Sequence, residues 1–112
     1  MFARTTTFEI DTLRIGLAEA LARFKELVLP ELRKQPGFRG LFVLETPEGR
    51  GLLLSLWDSE EAAKVSVETG YYQEQVAKFV MFMRQPPGRE HYEVVYSEGV
   101  ASEASPDQRS LT

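Results

Sequence analysis

The stretch PGFRGLFVLETPEGRGLLLSLWDSEEAA, residues 36–63, holds two strand-like runs that are apolar on both faces. Between them Thr46-Pro47-Glu48-Gly49 places proline at the second turn position and glycine at the fourth, the chemistry of a type I turn closed by a left-handed glycine. If Thr46 faces Arg50, antiparallel register puts Phe42 and Leu44 on one face with Leu52, Leu54 and Leu56. Leu41, Val43, Leu53, Ser55 and Trp57 then share the other. Neither set tolerates water, so both faces need a cover.

Downstream, Asp58-Ser59-Glu60-Glu61 reads as a capping box, with Asp58 the cap and Glu61 reaching back to its amide, opening a helix that runs to about Glu68. Gly70 interrupts it. Tyr72, Val76, Phe79, Val80 and Met83 resume a helical stripe, although residues 79–83 taken alone suit a buried strand equally. Pro86-Pro87-Gly88 is a break, and Tyr92, Val94 and Tyr96 alternate as a last strand.

Upstream, FARTTTF at residues 2–8 is rich in β-formers and precedes Asp11, read as the cap of a long amphipathic helix. Its apolar stripe is Leu13, Leu17, Leu21, Phe24, Val28 and Leu32. Pro30 removes the hydrogen bond to Glu26, and because the apolar phase continues to Leu32 a kink is expected there rather than a break. Pro36-Gly37 ends the helix.

The order strand, helix, strand, strand, helix, strand is the ferredoxin-like βαββαβ arrangement of the α+β class: a four-stranded antiparallel sheet with its helices on one face. It occupies residues 1–96, leaving 97–112 as a polar tail expected to be disordered. The helices cover one sheet face only, and the other would expose more apolar area than a monomer usually does. A second copy packed sheet to sheet, forming a closed barrel as a homodimer, is the expected cover.

Composition narrows the function. The chain of 112 residues has no cysteine, which removes disulfides, thiolate nucleophiles and thiolate metal sites. One histidine, His91, cannot make a multi-histidine centre, and no carboxylate cluster suggests a calcium or magnesium loop, so no metal is expected. A net charge of -4 and an isoelectric point near 5.0 disfavour nucleic acid and anionic membrane as partners. No apolar run is long enough to span a bilayer and the first ten residues lack signal-peptide order, so a cytoplasmic protein is expected. "RGLFVLE" at residues 39–45 looks superficially like an RNA-recognition strand motif, but it lies on the second strand, without further aromatics in register, in an acidic chain.

The segments "PGFRGLFVLE", "GLLLSLWDSEEAA" and "HYEVV" resemble the antibiotic biosynthesis monooxygenase domains of the dimeric α+β barrel superfamily, over about residues 2–96. The resemblance implies the fold and the dimer. It also implies a cleft between helices and sheet where a small, electron-rich aromatic of anthrone or quinol type reacts with dioxygen without a cofactor. A base and oxyanion-stabilising donors in a dry cavity are what that chemistry requires. The alternative is a non-catalytic small-molecule binding or stress-related accessory protein, since this superfamily hosts many functions. Haem-degrading relatives use an asparagine on the first strand, and this chain contains none.

Five side chains are candidates for the site. His91, the one group titrating near neutrality, is the default general base, though a lone histidine after a loop is more often a solvated strand residue. Tyr72, in phase with Val76 and Phe79, is the second catalytic candidate. Adjacent helical positions point about 100° apart, so only one of Tyr71 and Tyr72 is expected to face the cleft directly. Tyr71, Trp57 and Arg4 are candidates for substrate binding. Trp57 reads more readily as a core or barrel-edge aromatic than as a ligand-stacking one. Arg4 is an odd charge in an apolar sheet, able either to orient an anionic or phenolic oxygen or to guard a sheet edge.

Overall fold

The computed structural model describes residues 1–99, so the expected polar tail lies, from residue 100 onward, outside the described residues. The elements are β1 (Phe2–Glu9), α1 (Leu17–Leu27), α2 (Leu29–Arg33), β2 (Phe38–Glu45), β3 (Arg50–Trp57), α3 (Glu60–Glu68), α4 (Tyr71–Ala77) and β4 (Gly88–Glu93). The strands form one antiparallel sheet in the order β2-β3-β1-β4. This is the ferredoxin-like order, in which two helical crossovers lie on the same face.

The β2–β3 hairpin closes as its sequence implies. The Thr46 amide donates to the Arg50 carbonyl (2.8 Å), and Gly49, at φ +96°, donates to that of Thr46 (2.9 Å). Phe42 faces Leu54 and Leu44 faces Leu52, while Val43 faces Leu53 and Leu41 faces Ser55. One feature is not visible in the alternation. A bulge between Phe38 and Gly40 inserts Arg39 as an extra residue, so Phe38 pairs with Trp57 and its ring meets the indole edge-on at 5.7 Å. Since strand side chains alternate with period two, this one-residue shift moves Phe38 to the helix-covered face. Gly37 precedes it at φ +82°, where a Cβ would lie 2.6 Å from that of Ala62, so the Pro-Gly break also lets α3 dock closely.

Several local expectations are corrected. The first helix is two segments rather than one kinked rod. Pro30 sits in the first turn of α2, where its missing N–H costs nothing, and Val28 joins the two by donating to Phe24 and accepting from Leu32. The helix also starts later than its apolar stripe suggests. Asp11 accepts from the Leu13 amide in a turn, Gly16 is the N-cap of α1, and Leu13 is 90% exposed. The cap of α3 is Ser59, which accepts from the Ala62 amide at 3.1 Å, whereas Asp58 pairs with Arg39 at 2.9 Å. Residues 79–83 are neither helix nor strand. A single 3₁₀ turn (Val80–Phe82) leads to an isolated bridge between Met83 and Ile10. The last strand starts at Gly88 and ends before Val94, so Tyr92 alone of its three expected apolar positions is in it.

Register divides the sheet into two chemical faces. Arg4, Thr6 and Phe8 of β1 share the helix-covered face with Trp57, Ser55 and Leu53 of β3 and with His91 and Arg89 of β4. Ala3, Thr5, Phe42, Leu44, Leu52, Leu54, Leu56 and Tyr92 point the other way, with Leu44 and Tyr92 about half exposed. The buried core lies under the helices in two clusters. Ile10, Ile15 and Ala20 form one end, and Leu32, Trp57 and Ala63 the other.

Candidate active site

Between those two clusters the helices stand off the sheet and leave a cavity of about 120 Å³. On this measure one water needs about 10–15 Å³, so the space is on the order of ten waters and suits a small ring system. Its walls are apolar: Leu21 and Phe24 of α1, Val28, Leu53 of β3, and Val76 and Phe79 around α4. A helix stripe spaced at three and four residues and a strand spaced at two converge here because each buries its apolar side against the same space.

Polar groups gather at one end, where Arg4, Thr6, Ser55, Tyr71 and Tyr72 reach the wall. Arg4 is 4% exposed. Its guanidinium lies between two rings, 4.8 Å from the centroid of Trp57 and 4.9 Å from that of Tyr72, both within cation–π range. Its Nη1 donates to the Ala63 carbonyl (3.2 Å) and to Ser66 Oγ (2.5 Å). The Ser66 hydroxyl in turn donates to the same Ala63 carbonyl at 2.8 Å. Among the described residues no carboxylate pairs with Arg4. Burial weakens its hold on the proton, opposed chiefly by the nearby tyrosines.

Tyr72 is fixed by its hydroxyl, 3.0 Å from that of Thr6, and Arg89 lies 5.1 Å from its ring, so two cations flank one aromatic. Tyr71 also lines the cavity, and its hydroxyl is buried without a hydrogen-bond partner among the described residues. Burial holds that hydroxyl protonated far above the ordinary tyrosine range. Both tyrosines therefore reach the wall, against the expectation that only one would. Gly70, at φ +85°, starts α4 directly at the cavity's end, where two side chains about 100° apart can flank one concave surface.

The other two candidates stand behind this surface. Trp57 is fully buried, donates through Nε1 to Ser55 Oγ at 2.9 Å, and is not a wall residue. It is a core aromatic that backs Arg4. His91 is the cross-strand neighbour of Arg4 but does not line the cavity either. Its Nε2 is buried and has no hydrogen-bond partner among the described residues, its ring lies 6.4 Å from that of Phe2, and burial together with Arg4 and Arg89 lowers its proton affinity. Sequence reasoning missed Ser66 and Ala63, which anchor Arg4, and Gln75, a buried amide on the wall whose Oε1 accepts from Lys78. The small residues Ala62, Ala63 and Ser66 were the available sign that α3 packs close to the sheet. Among the described residues no group of three histidine or carboxylate ligands could hold a metal ion, and no helix is long and apolar enough to cross a membrane.

The model of one family, antibiotic biosynthesis monooxygenase, matches residues 5–78. The chain belongs to that family. The match runs from within β1 to just past α4 and so includes every strand and helix that walls the cavity, while the wall residues Arg4, Phe79 and Met83 lie outside it. Solved structures agree at the level of fold. A monooxygenase from Streptomyces coelicolor, solved in complex with nanaomycin D, is 20% identical with a TM-score of 0.67, covering 89% of this chain and 92% of that one. A protein of unknown function from Nitrosomonas europaea is 19% identical with the same TM-score, covering 89% and 94%. A Mycobacterium tuberculosis protein is 15% identical with a TM-score of 0.64, covering 88% and 98%. No curated protein matches the sequence.

Proposed function

We propose that this antibiotic biosynthesis monooxygenase family member is an oxygenase that acts, without a resident cofactor, on a small electron-rich aromatic of anthrone or quinol type. One observation carries the reading: an apolar cavity ends at a buried guanidinium that has no carboxylate among the described residues. A phenol or enol bound with its oxygen toward Arg4 is stabilised in its ionised form, because a cation in a low-dielectric site favours a nearby anion strongly. The ionised ring is the electron donor that dioxygen needs, and apolar walls keep water from competing. Tyr72 is the residue assigned to touch the phenolic oxygen, within the field of the Arg4 cation that Trp57 holds from behind. The proposal includes a homodimer in which a second copy covers the face bearing Phe42, Leu44, Leu54 and Leu56, closing a barrel.

The absence of His91 from the cavity wall favours a second reading, a binding protein that holds such a ligand without turning it over. Oxygen uptake with product analysis separates the two. On a panel of anthrones, naphthols and quinols, without added flavin, haem or metal, the oxygenase consumes oxygen with at least one member. Arg4→Met abolishes that uptake and Tyr72→Phe slows it. A panel that is bound but never oxidised selects the binding protein.

A further inference from the structure

Arg4 spends its hydrogen bonds unevenly. Nη1 satisfies the Ala63 carbonyl and Ser66 Oγ, whereas Nε and Nη2 have no hydrogen-bond or ion-pair partner among the described residues. Those two atoms form the edge of a guanidinium that receives a carboxylate through two parallel bonds. The rings of Trp57 and Tyr72 clamp the plane, so the edge cannot swing away. Tyr71 lies close enough for its hydroxyl and Arg4 to perturb one another's proton affinity, and that buried hydroxyl is also unpartnered. Ser55 is already engaged, and the Thr6 and Tyr72 hydroxyls share one hydrogen bond. The nearest acid on the wall, Glu45, sits four residues along β2 from Leu41, which is level with Arg4, about 13 Å away by strand rise.

We infer that the ligand carries a carboxylate: an aryl carboxylate enters with its ring between the apolar walls and its two oxygens on the Nε–Nη2 edge of Arg4, with the Tyr71 hydroxyl as a further donor. This makes Arg4 the specificity-determining residue and names the substrate class within the proposed function, on which it rests for the choice of cavity. A buried cation with open donors rejects an uncharged isostere because desolvation of its free edge is then uncompensated. A single phenolate oxygen occupies only half of that edge.

Calorimetric titration under nitrogen tests this, because binding is then read without any oxidation. The probes are 2-naphthoate, its neutral isostere 2-naphthamide, and 2-naphthol, with benzoate and anthracene-2-carboxylate bracketing ring size. One of the acids binds roughly tenfold to a hundredfold tighter than its amide. Arg4→Met removes that discrimination, and Tyr71→Phe weakens the acid severalfold. If Arg4→Met does not fold, salt decides on the unaltered protein. Preference from a buried pair barely changes between low and high salt, whereas preference drawn from exposed Arg89 fades. Equal binding of acid and amide, tighter binding of 2-naphthol than of the acids, discrimination that survives in Arg4→Met, or no binding of any acid at millimolar concentration overturns the inference. Failure of oxygen uptake bears on the oxygenase reading alone, since the titration contains no oxygen.

Discussion

Replacing Arg4 by methionine should cost the protein its site and almost none of its stability. The substitution removes two charge-assisted bonds from Nη1, worth about 1.5–3 kcal/mol each. It also removes cation–π contacts with Trp57 and Tyr72, about 0.5–2 kcal/mol each. Against this stands the relief of burying a cation with no carboxylate among the described residues, an effective penalty of several kcal/mol even after relaxation. Nothing is stranded by the change, because the Ser66 hydroxyl still donates to the Ala63 carbonyl. Methionine refills most of the aliphatic stem with a flexible apolar chain. The two sides cancel to within about 2 kcal/mol. With a urea dependence of about 1–3 kcal/mol per molar, the unfolding midpoint should move by roughly 2 M or less in either direction. A loss of about 4 kcal/mol or more would refute the reasoning. Arg4 would then be a structural residue whose hydrogen bonds to α3 hold the sheet and helices together, and its position at the cavity would be incidental.

Other substitutions separate core from site. Trp57→Ala, at a residue with no exposure that packs on Phe38, Leu32 and Arg4, should destabilise by about 3–5 kcal/mol in the same urea titration. His91 has a lowered proton affinity when folded, so above about pH 6.5 it is neutral in both states, and below that the unfolded chain takes up the proton first. Stability should therefore fall as pH drops from about 6.5, and comparing unfolding midpoints at several pH values should show a shallower fall for His91→Gln. Leu54→Glu, at the centre of the open face between Thr5 and Phe42, should convert the proposed dimer to a monomer by light scattering, with a mass near 12.7 kDa. A folded dimer in that variant would place the interface elsewhere.

The parts of the fold that rest on periodicity and turn chemistry were legible in the residues. Hairpin register follows from the turn, because Pro47 and Gly49 fix the turn and period two then assigns every side chain to a face. Local competition was less legible. Asp58 and Ser59 are both good caps, and only the direction of the chain leaving β3, with Arg39 available to pair Asp58, settles on Ser59. The apolar stripe that includes Leu13 ran ahead of its helix because Asp11 captured the Leu13 amide in a turn.

What the sequence by itself determined is the order of elements, the apolar face of each, and the presence of one cation in the first strand, one indole and a tyrosine pair in a chain poor in other chemistry. Which of these meet was decided by tertiary structure alone. Arg4 and Ser66 are 62 positions apart and touch because Ala63 lets α3 approach β1. His91 is next to Arg4 across the ladder yet off the cavity, because the wall is drawn by where the helices stand away from the sheet. Strand and helix periods fix directions within an element. Distances between elements depend on side-chain volumes at contacts that are remote in sequence, and those volumes left a cavity at Arg4 and Tyr71 and filled the space in front of Trp57.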